Sequence, residues 1–412
     1  MRPSLFSLSV LFLALAAPVF AESRDLSVPL DLEGMKGKIV RVTNLKDSGR
    51  GSFRAAVGKE FPRTIVFETS GEIRLERTVD IRNGDVVIAG QTAPEPGITI
   101  RGAGLIIHGQ NVLLEGLRIR VGDERPDSEP NRDAISILGP LDPKVKGGAG
   151  ASNVLIRNVS LSWWTDDIGI WYGAKGVTFD RVIFAEALHK SIHSKGPHSK
   201  GLLVGPGSEV LVKDCLFTNN ADRNPFVKNG AKLVFVNNVV HNWVSSRIAT
   251  HIGSDDQTKW FPDKDAPSFA TVEGNVYISG FNTPSASGGP VAVGVWQGKK
   301  GGAGLGTQVY VNDNQVVGEG IRPLQVMTPF DPIAKERPVW VNGLQVRPSQ
   351  ETEAYVLANA GAFPRDSIDR RIVQGVKDRK ETTKIIDSQS QVGGWLELPV
   401  NRRKFVAPDD NP

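Results

Sequence analysis

A short apolar run recurs along this sequence, and its spacing most constrains what the chain can fold into. Within each run, apolar residues alternate with polar ones, as a half-buried strand requires. Successive runs begin 42, 23, 33, 23, 37 and 39 residues apart. Spacings near 23 residues with loop insertions favour an all-β coiled solenoid over a sandwich. The runs begin at Val112, Val154, Val177, Val210, Leu233, Ala270 and Val309.

The sixth position of each run forms a second pattern, which changes from apolar residues to asparagine. If these positions stack inside a solenoid, they predict an apolar ladder that passes into an asparagine ladder, whose amides bond one another along the axis. The single cysteine falls in the apolar part, so we expect a small buried residue rather than a nucleophile. Because the sequence has one cysteine, an intrachain disulfide and a multi-cysteine zinc site are also excluded. The positions are Leu117, Val159, Val182, Cys215, Asn238, Asn275 and Asn314.

Charged residues recur at the starts of four further segments. The starts at Asp133, Asp167, Lys200 and Asn224 are 34, 33 and 24 residues apart. If each repeat is one turn of a solenoid, they stack about 4.8 Å apart. In this frame Asp167 stands directly above Asp133. Carboxylates then occupy one end of a surface column and cations the other, which suits a metal ion and an anionic substrate.

Helix signals are few. Ser52 to Lys59 predicts a short helix over the first coil, which protects its strand edge. Asp366 is a candidate N-cap for a helix over Ser367 to Val376. After about residue 345 the strand repeat is lost, and we expect this charged tail to wrap the other end of the solenoid. Residues 22–412 thus predict one domain.

Residues 1–21 have the pattern of an export signal. Arg2 supplies the positive charge, Leu5 to Ala17 the apolar stretch, and Val19-Phe20-Ala21 the cleavage site. The stretch is short for a membrane span, so we expect a soluble protein that is secreted or periplasmic, monomeric and without a membrane partner. The net charge of +4 does not indicate nucleic acid, but it permits an anionic polysaccharide partner.

Asn219 to Lys228 is the sharpest local motif, because Arg223, Pro225 and Lys228 match R-x-P-x-x-R with lysine in the last position. Here the chain resembles the pectate lyases of polysaccharide lyase family 1, bacterial members included. The resemblance implies a right-handed parallel β-helix and calcium-assisted β-elimination of polygalacturonate (pectate). It spans roughly residues 38 to 245. Its other segments are Arg41–Arg54, Ile88–Pro94, Ser162–Asp167 and His198–Gly205.

The resemblance also implies roles for the basic residues. Arg223 falls on the family's catalytic arginine and is the candidate base. Since a free guanidinium stays protonated, a second role remains open, in which Arg223 stabilises charge and another group accepts the proton. Lys200 falls on the substrate-binding lysine and belongs to the catalytic pair. Lys228 replaces an arginine that grips the substrate, and it keeps the charge but loses the bidentate fork.

Asp133 and Asp166 match acidic positions near the family's calcium site, and Asp167 is adjacent. Carboxylates on neighbouring coils can hold one calcium ion, which takes several oxygen ligands. Two positions depart from the family pattern. Ile170 stands where a second acid is often found, and Arg157-Asn158 replaces an Asp-His pair. The protein's own ligand set is therefore thin, and substrate carboxylates would complete it.

Histidines and tryptophans near these motifs add candidate contacts. His189, His193 and His198 suggest zinc or a general base, although a polar loop beside the groove is the simpler interpretation. Trp163 and Trp164 are candidates to stack on sugar or to fill a corner of the coil. From these we name His198 and Trp164 as candidate substrate contacts.

Three other functions remain open at this point. A calcium-independent pectin lyase would use methyl-esterified substrate, and Arg157 and Ile170 keep that alternative. A polygalacturonase requires paired carboxylates that activate water, and Asp166 and Asp167 are adjacent, but no further hydrolase motif accompanies them. A noncatalytic β-helix that binds anionic glycan is possible because fold does not fix function.

Overall fold

A computed structural model describes residues 25–27, 35, 37–124, 132–145, 148–244, 247–254, 261–284, 288–298, 301–379 and 384–407. The predicted export signal over residues 1–21 lies outside these described residues. Among the helices within them, none is both long enough and apolar enough to cross a membrane.

Three parallel sheets run the length of the molecule, and the chain visits them in turn. The prediction of a right-handed parallel β-helix is confirmed. The ten-stranded sheet, here called sheet 1, contains Lys38–Val42, Arg63–Phe67, Val86–Ala89, Gln110–Glu115, Ser152–Arg157, Lys175–Asp180, Glu209–Lys213, Lys232–Val236, Phe269–Glu273 and Gln308–Asn312. Sheet 2 contains Val79–Ile81, Leu105–Ile107, Ile135–Leu138, Ile168–Trp171, Leu202–Val204, Phe226–Val227, Ile248–Ile252, Val291–Val295 and Arg322–Val326. Sheet 3 contains Gly71–Arg74, Ile98–Arg101, Arg118–Arg120, Ser160–Ser162, Ile183–Ala185, Leu216–Thr218, Val239–His241, Val276–Ile278 and Gln315–Val317. Gln297–Gly298 and Gly301–Gly302 form a separate antiparallel pair.

The recurrent apolar runs all lie in sheet 1, in the register that their alignment predicts. Val154 pairs with both Val112 and Val177, and Val177 pairs with Val210. The series continues through Leu233 to Ala270 and Val309. Because neighbouring side chains on a strand point to opposite faces, this register puts equivalent apolar residues above one another inside the solenoid.

In sheet 2 the register differs by one residue from the predicted frame. Ser136 pairs with Gly169, an offset of 33 residues, and Ile168 pairs with Leu202, an offset of 34. Continued back along the chain, the first register sets Asp166, not Asp167, beside Asp133. The expectation that Asp167 stands directly above Asp133 is therefore wrong, although all three acids remain on adjacent coils.

The predicted asparagine ladder is present in the interior. Nδ2 of Asn238 donates to Oδ1 of Asn275 at 3.1 Å, and Nδ2 of Asn275 donates to Oδ1 of Asn314 at 2.8 Å. Each side chain also accepts a backbone N–H from the coil before it, as Asn238 does from Cys215. Cys215 is fully buried, and burial raises the pKa of its thiol well above the usual value. It packs as a small core residue.

Within the described ranges, three helices lie outside the coils. The first, Phe53–Val57, is shorter than predicted and is capped by the Ser52 hydroxyl. The predicted helix after Asp366 runs over Ser367–Asp378, with the Asp366 side chain accepting from the Asp369 N–H. Ser349–Asn359 was not predicted. 3-10 turns cover Gly90–Thr92 and Gln389–Val392.

The tail after residue 345 does not wrap the far end but runs back along sheet 3. Arg120 donates to Asp366 at 2.6 Å and to Asp369 at 2.8 Å, in a buried cluster. Farther along, the N–H of Asn401 donates to the Ser70 hydroxyl at 2.9 Å, near the first coils. The expected position of the tail is therefore wrong, because buried salt bridges hold it against the side of the solenoid.

We predict that Asn275→Ala lowers the free energy of unfolding by about 3 kcal/mol. The substitution leaves the buried N–H of Asn238 and the carbonyl of Phe235 without their partners, and such orphaned groups cost about 1–3 kcal/mol each. The shift in the urea unfolding midpoint measures the effect. The exposed Asn342→Ala serves as the control and should stay within about 0.5 kcal/mol of the wild type. Equal midpoints for the two variants would contradict a stabilising role for the ladder.

Candidate active site

The charged residues of the predicted column gather where the chain enters the strands of sheet 2. They stand just before Ile135–Leu138, Ile168–Trp171, Leu202–Val204 and Phe226–Val227. A groove of about 680 Å³ lies on this face, and Asp133, Asp166 and Arg132 are among its lining residues. Parallel stacking therefore brings residues that are far apart in sequence to one surface.

Asp133, Asp166 and Asp167 form the acidic part of the site, here called the acidic cluster. One carboxylate oxygen from each lies within 4.8 Å of the others. Burial raises the pKa of Asp133 well above its usual value, and the charges of Asp167 and Asp166 raise it further. The Ser136 hydroxyl and the Asp167 N–H donate to Asp133 and partly offset this effect. The cluster thus holds more negative charge than its surroundings stabilise.

Asp167 connects the acidic cluster to Arg223. Burial raises the pKa of Asp167 to about 6, although the Arg223 guanidinium opposes the shift. Nη1 of Arg223 donates to Oδ2 of Asp167. Within the described part of the chain, Oδ1 of Asp167 is buried and has no hydrogen-bond partner. Such an orphaned carboxylate oxygen is a suitable ligand for a hard cation.

Two histidines hold Asp166 from the opposite side. Nε2 of His198 lies 3.0 Å from Oδ1 of Asp166, and Nε2 of His193 lies 3.4 Å from Oδ2. Burial by itself raises the pKa of Asp166, but hydrogen bonding and charge from the histidines outweigh it and lower that pKa. Asp166 is therefore held in its ionised form, ready to ligate a cation.

The hydrogen bonds of His193 argue against zinc. Its Nδ1 accepts the Lys195 N–H at 3.1 Å, so the neutral ring carries its proton on Nε2. A ring in this tautomer offers Asp166 a donor and not a lone pair, whereas a metal-bound histidine donates from its other nitrogen. His189 contacts the carbonyl of His198 instead of joining the pair around Asp166. The histidines therefore position Asp166.

Lys200 and Arg223 form the cationic part of the site, and Asp222 organises both. Nζ of Lys200 lies 2.7 Å from Oδ2 of Asp222, while Oδ1 accepts the Arg223 N–H at 2.9 Å. Nε2 of His251 lies 3.3 Å from the same Oδ1. Burial alone would raise the pKa of Asp222, but His251 and Lys200 lower it below its usual range. The sequence interpretation missed both Asp222 and His251.

The signals for these two residues were weak. Asp222 precedes Arg223 and suggests only a local ion pair, and His251 belongs to none of the recognised motifs. The structure reveals them because Lys200 pairs with Asp222 and Phe226 pairs with His251 across neighbouring coils.

Two predicted substrate contacts are buried. Trp164 is fully buried in the core, and its Nε1 donates to the carbonyl of Lys200 at 2.6 Å. Lys228 is also fully buried, with Nζ 4.1 Å from the centre of the Phe226 ring. Side chains without accessible surface do not touch a polysaccharide, so both predictions are wrong. His198 keeps 11% exposure, and its contact with substrate stays a prediction.

The two departures from the family pattern do not alter the groove. Ile170 points into the core and is fully buried. Arg157 lies in sheet 1, where its Nε donates to Glu115 at 2.8 Å. Ile170 therefore offers no carboxylate to the acidic cluster and Arg157 is occupied by Glu115, so the calcium-independent pectin lyase stays an alternative.

Comparison with known proteins finds relatives over most of the chain. A protein of Aspergillus terreus named probable pectate lyase C is 29% identical over 393 residues, which cover 92% of this chain and 83% of that protein. A protein of Neosartorya fischeri with the same name is 33% identical over 252 residues, 61% of this chain and 52% of that protein. No protein-family model matches the sequence.

A solved structure supports the fold independently. The crystal structure of Jun a 1, the major allergen from cedar pollen, superposes with a TM-score of 0.55 and 18% sequence identity. The match covers 80% of this chain and 90% of the allergen. At this identity the likeness concerns the β-helix alone.

We predict that Asp133→Asn stabilises the metal-free protein at pH 7 by at least about 1 kcal/mol. The pKa of the Asp133 carboxyl is higher in the folded than in the unfolded protein, so the carboxyl contributes favourably to the free energy of unfolding at low pH. This contribution is lost as the pH rises through the folded pKa. One pKa unit corresponds to about 1.4 kcal/mol. Unfolding in chelator should show the gain at pH 7 and little difference near pH 4.

The matched control is Asp265→Asn, whose exposed side chain belongs neither to the acidic cluster nor to the lining of the groove. It should leave the unfolding midpoint unchanged at both pH values. A variant Asp133→Asn that is less stable than the wild type at pH 7 would show that the carboxylate is not strained in the metal-free protein.

Proposed function

We propose that this chain, like the relatives it resembles, is a pectate lyase: an exported enzyme that cleaves α-1,4-linked polygalacturonate by calcium-assisted β-elimination. One observation carries the proposal. A cluster of three carboxylates lies on the same groove face as Lys200 and Arg223, on adjacent coils. A calcium ion held by the carboxylates would place positive charge at one end of the column, and Lys200 and Arg223 place it at the other. Positive charge at both ends matches a substrate that bears one carboxylate per sugar.

The residues present fit a calcium ion. Asp133, Asp166 and Asp167 offer carboxylate oxygens within 4.8 Å of one another, and Oδ1 of Asp167 has no hydrogen-bond partner within the described part of the chain. Calcium prefers several oxygen ligands, of which carboxylates are the commonest charged kind. When bound, the ion would supply positive charge for the uronate carboxylate, which makes the neighbouring C5 proton more acidic.

The chain's own cations perform the remaining steps in this proposal. Lys200, held by Asp222, binds a uronate carboxylate as a point charge. Arg223 lies beside the proton that leaves C5 and either accepts it or stabilises the developing charge while another group accepts it. The C5–H electrons form the C4–C5 double bond, and the C4–O bond breaks. The leaving oxygen takes up a proton, so no water is consumed.

Asp167 gives Arg223 two possible environments. In the structure the guanidinium is paired with Asp167 inside the acidic cluster. Asp167 is also one of the residues that would hold a calcium ion, and the charge of that ion would weaken the pairing of Asp167 with Arg223. Asp167 would then couple cation binding to the release of Arg223 toward substrate.

Export rests on residues 1–21, whose charged start, apolar stretch and small cleavage residues have the pattern of a signal peptide. Sequencing the N-terminus of the protein recovered from the medium or periplasm tests this part, and a chain that begins at Glu22 is expected.

We predict that Arg223→Ala lowers turnover of polygalacturonate by at least about 100-fold, because proton transfer or charge stabilisation at C5 is lost. The ultraviolet absorbance of unsaturated chain ends measures the reaction, and unchanged circular dichroism shows that the fold is kept. Arg50→Ala, at an exposed position that does not line the groove, is the control and should retain full activity.

Wild-type protein that forms no unsaturated ends would overturn the lyase proposal. Saturated reducing ends as sole product would indicate a hydrolase, and binding without any cleavage would indicate a noncatalytic glycan-binding β-helix.

Removal of calcium by a chelator should abolish product formation, and added calcium should restore it. Calcium should also stabilise the wild type against unfolding, by about 2.7 kcal/mol when its concentration is a hundredfold above the dissociation constant. The variant Asp133→Asn should lose both effects. Cleavage of methyl-esterified pectin that survives the chelator would instead identify a calcium-independent pectin lyase.

A further inference from the structure

Trp171 lies in the groove beside the acidic cluster, and the proposed chemistry does not use it. The strand Ile168–Trp171 turns Ile168 and Ile170 into the core, where both are fully buried. Since side chains alternate along a strand, Gly169 and Trp171 face outward. Trp171 is half-buried and lines the groove of about 680 Å³.

Gly169 makes room for the indole of Trp171. A Cβ placed on Gly169 would lie 2.1 Å from Nε1 and 2.6 Å from Cε2 of the indole. The third nearest atom, Cζ2 at 3.0 Å, also belongs to Trp171. The backbone of Gly169 does not have a positive φ, so the conformation does not require glycine. The bare backbone instead lets the indole lie back over the strand.

This position brings an aromatic surface close to the acidic cluster. Two residues of a strand span about 6.6 Å, so the indole over Gly169 lies roughly that distance along the strand from Asp167. The separation is on the scale of one sugar unit. The ring of Tyr172 lies next to the indole, with the two ring centres 6.0 Å apart, and restricts the motion of the indole.

We propose that the Trp171 indole is a stacking platform for a pyranose ring of the substrate, one unit away from the uronate at the acidic cluster. This inference rests on the proposed function and names a subsite of the same groove. A pyranose presents C–H groups on its faces, and an aromatic face packs against such a surface. The exposed Lys144 also lines the groove and supplies charge for a uronate carboxylate.

Binding of hexagalacturonate in the presence of calcium, measured by isothermal titration calorimetry, tests the platform. The measurements use the Arg223→Ala background, so that the oligomer is not consumed. Trp171→Ala should weaken binding about tenfold, the order expected for loss of an aromatic contact. Gly169→Ala should weaken it similarly, because the new methyl group displaces the indole.

The double variant separates a platform from general damage. In the Trp171→Ala background there is no indole for the methyl group of Gly169→Ala to displace. Adding Gly169→Ala should therefore cause no further loss of affinity. Trp171→Phe should retain part of the affinity. Trp340→Ala removes a half-buried tryptophan outside the groove, where it packs against Arg337, and should bind as the background does. The KM values of the same substitutions in the wild-type background give a second measurement.

Each outcome decides between the two proposals. Loss of affinity in both single variants without further loss in the double variant supports the platform. Unchanged binding by Trp171→Ala, or additive losses in the double variant, overturns the platform and leaves the lyase intact. If the protein binds no hexagalacturonate and the wild type forms no unsaturated ends, the proposed function fails and the platform fails with it.

Discussion

Parallel hydrogen bonding between successive coils is the constraint on which the rest of this structure depends. No single coil buries its apolar side chains alone, so each strand is held by the strands before and after it. The register of those bonds also builds the groove. Asp133 and Asp166, which are 33 residues apart, come together because Ser136 pairs with Gly169. A shift of one residue would turn these side chains to the other face of the sheet.

Two pairs of residues that are consecutive in sequence, Asp166 with Asp167 and Asp222 with Arg223, organise the charges of the groove. Asp166 faces the histidines and is kept ionised, whereas Asp167 faces Arg223 and keeps a raised pKa. Two coils farther on, Asp222 holds Lys200 and the backbone of Arg223. Consecutive side chains thus point to different sides of the chain and contact different partners. Stability and the proposed function conflict here, because the repulsion around Asp133 weakens the fold, whereas in that proposal the same carboxylates hold calcium.

The sequence was informative where repeated packing decides the structure and less so where a single side chain decides it. The register of sheet 1 and the asparagine ladder were predicted because each position is stacked on an equivalent one. Ser349–Asn359 escaped because its buried face includes Ser349 and Thr352, which leaves no clear apolar stripe. Trp163 and Trp164 were the candidates to stack on sugar and both are fully buried, because the motif that contains them does not reveal which way their side chains point.

The tail gives the molecule a connection that local stacking does not supply. Asn401 bonds to Ser70, and Thr69 forms a bridge with Arg402, so segments more than 300 residues apart share one surface. The early coils are complete in sequence long before the segment that covers their flank. A chain truncated before Asp366 would therefore leave Arg118 and Arg120 without their acidic partners.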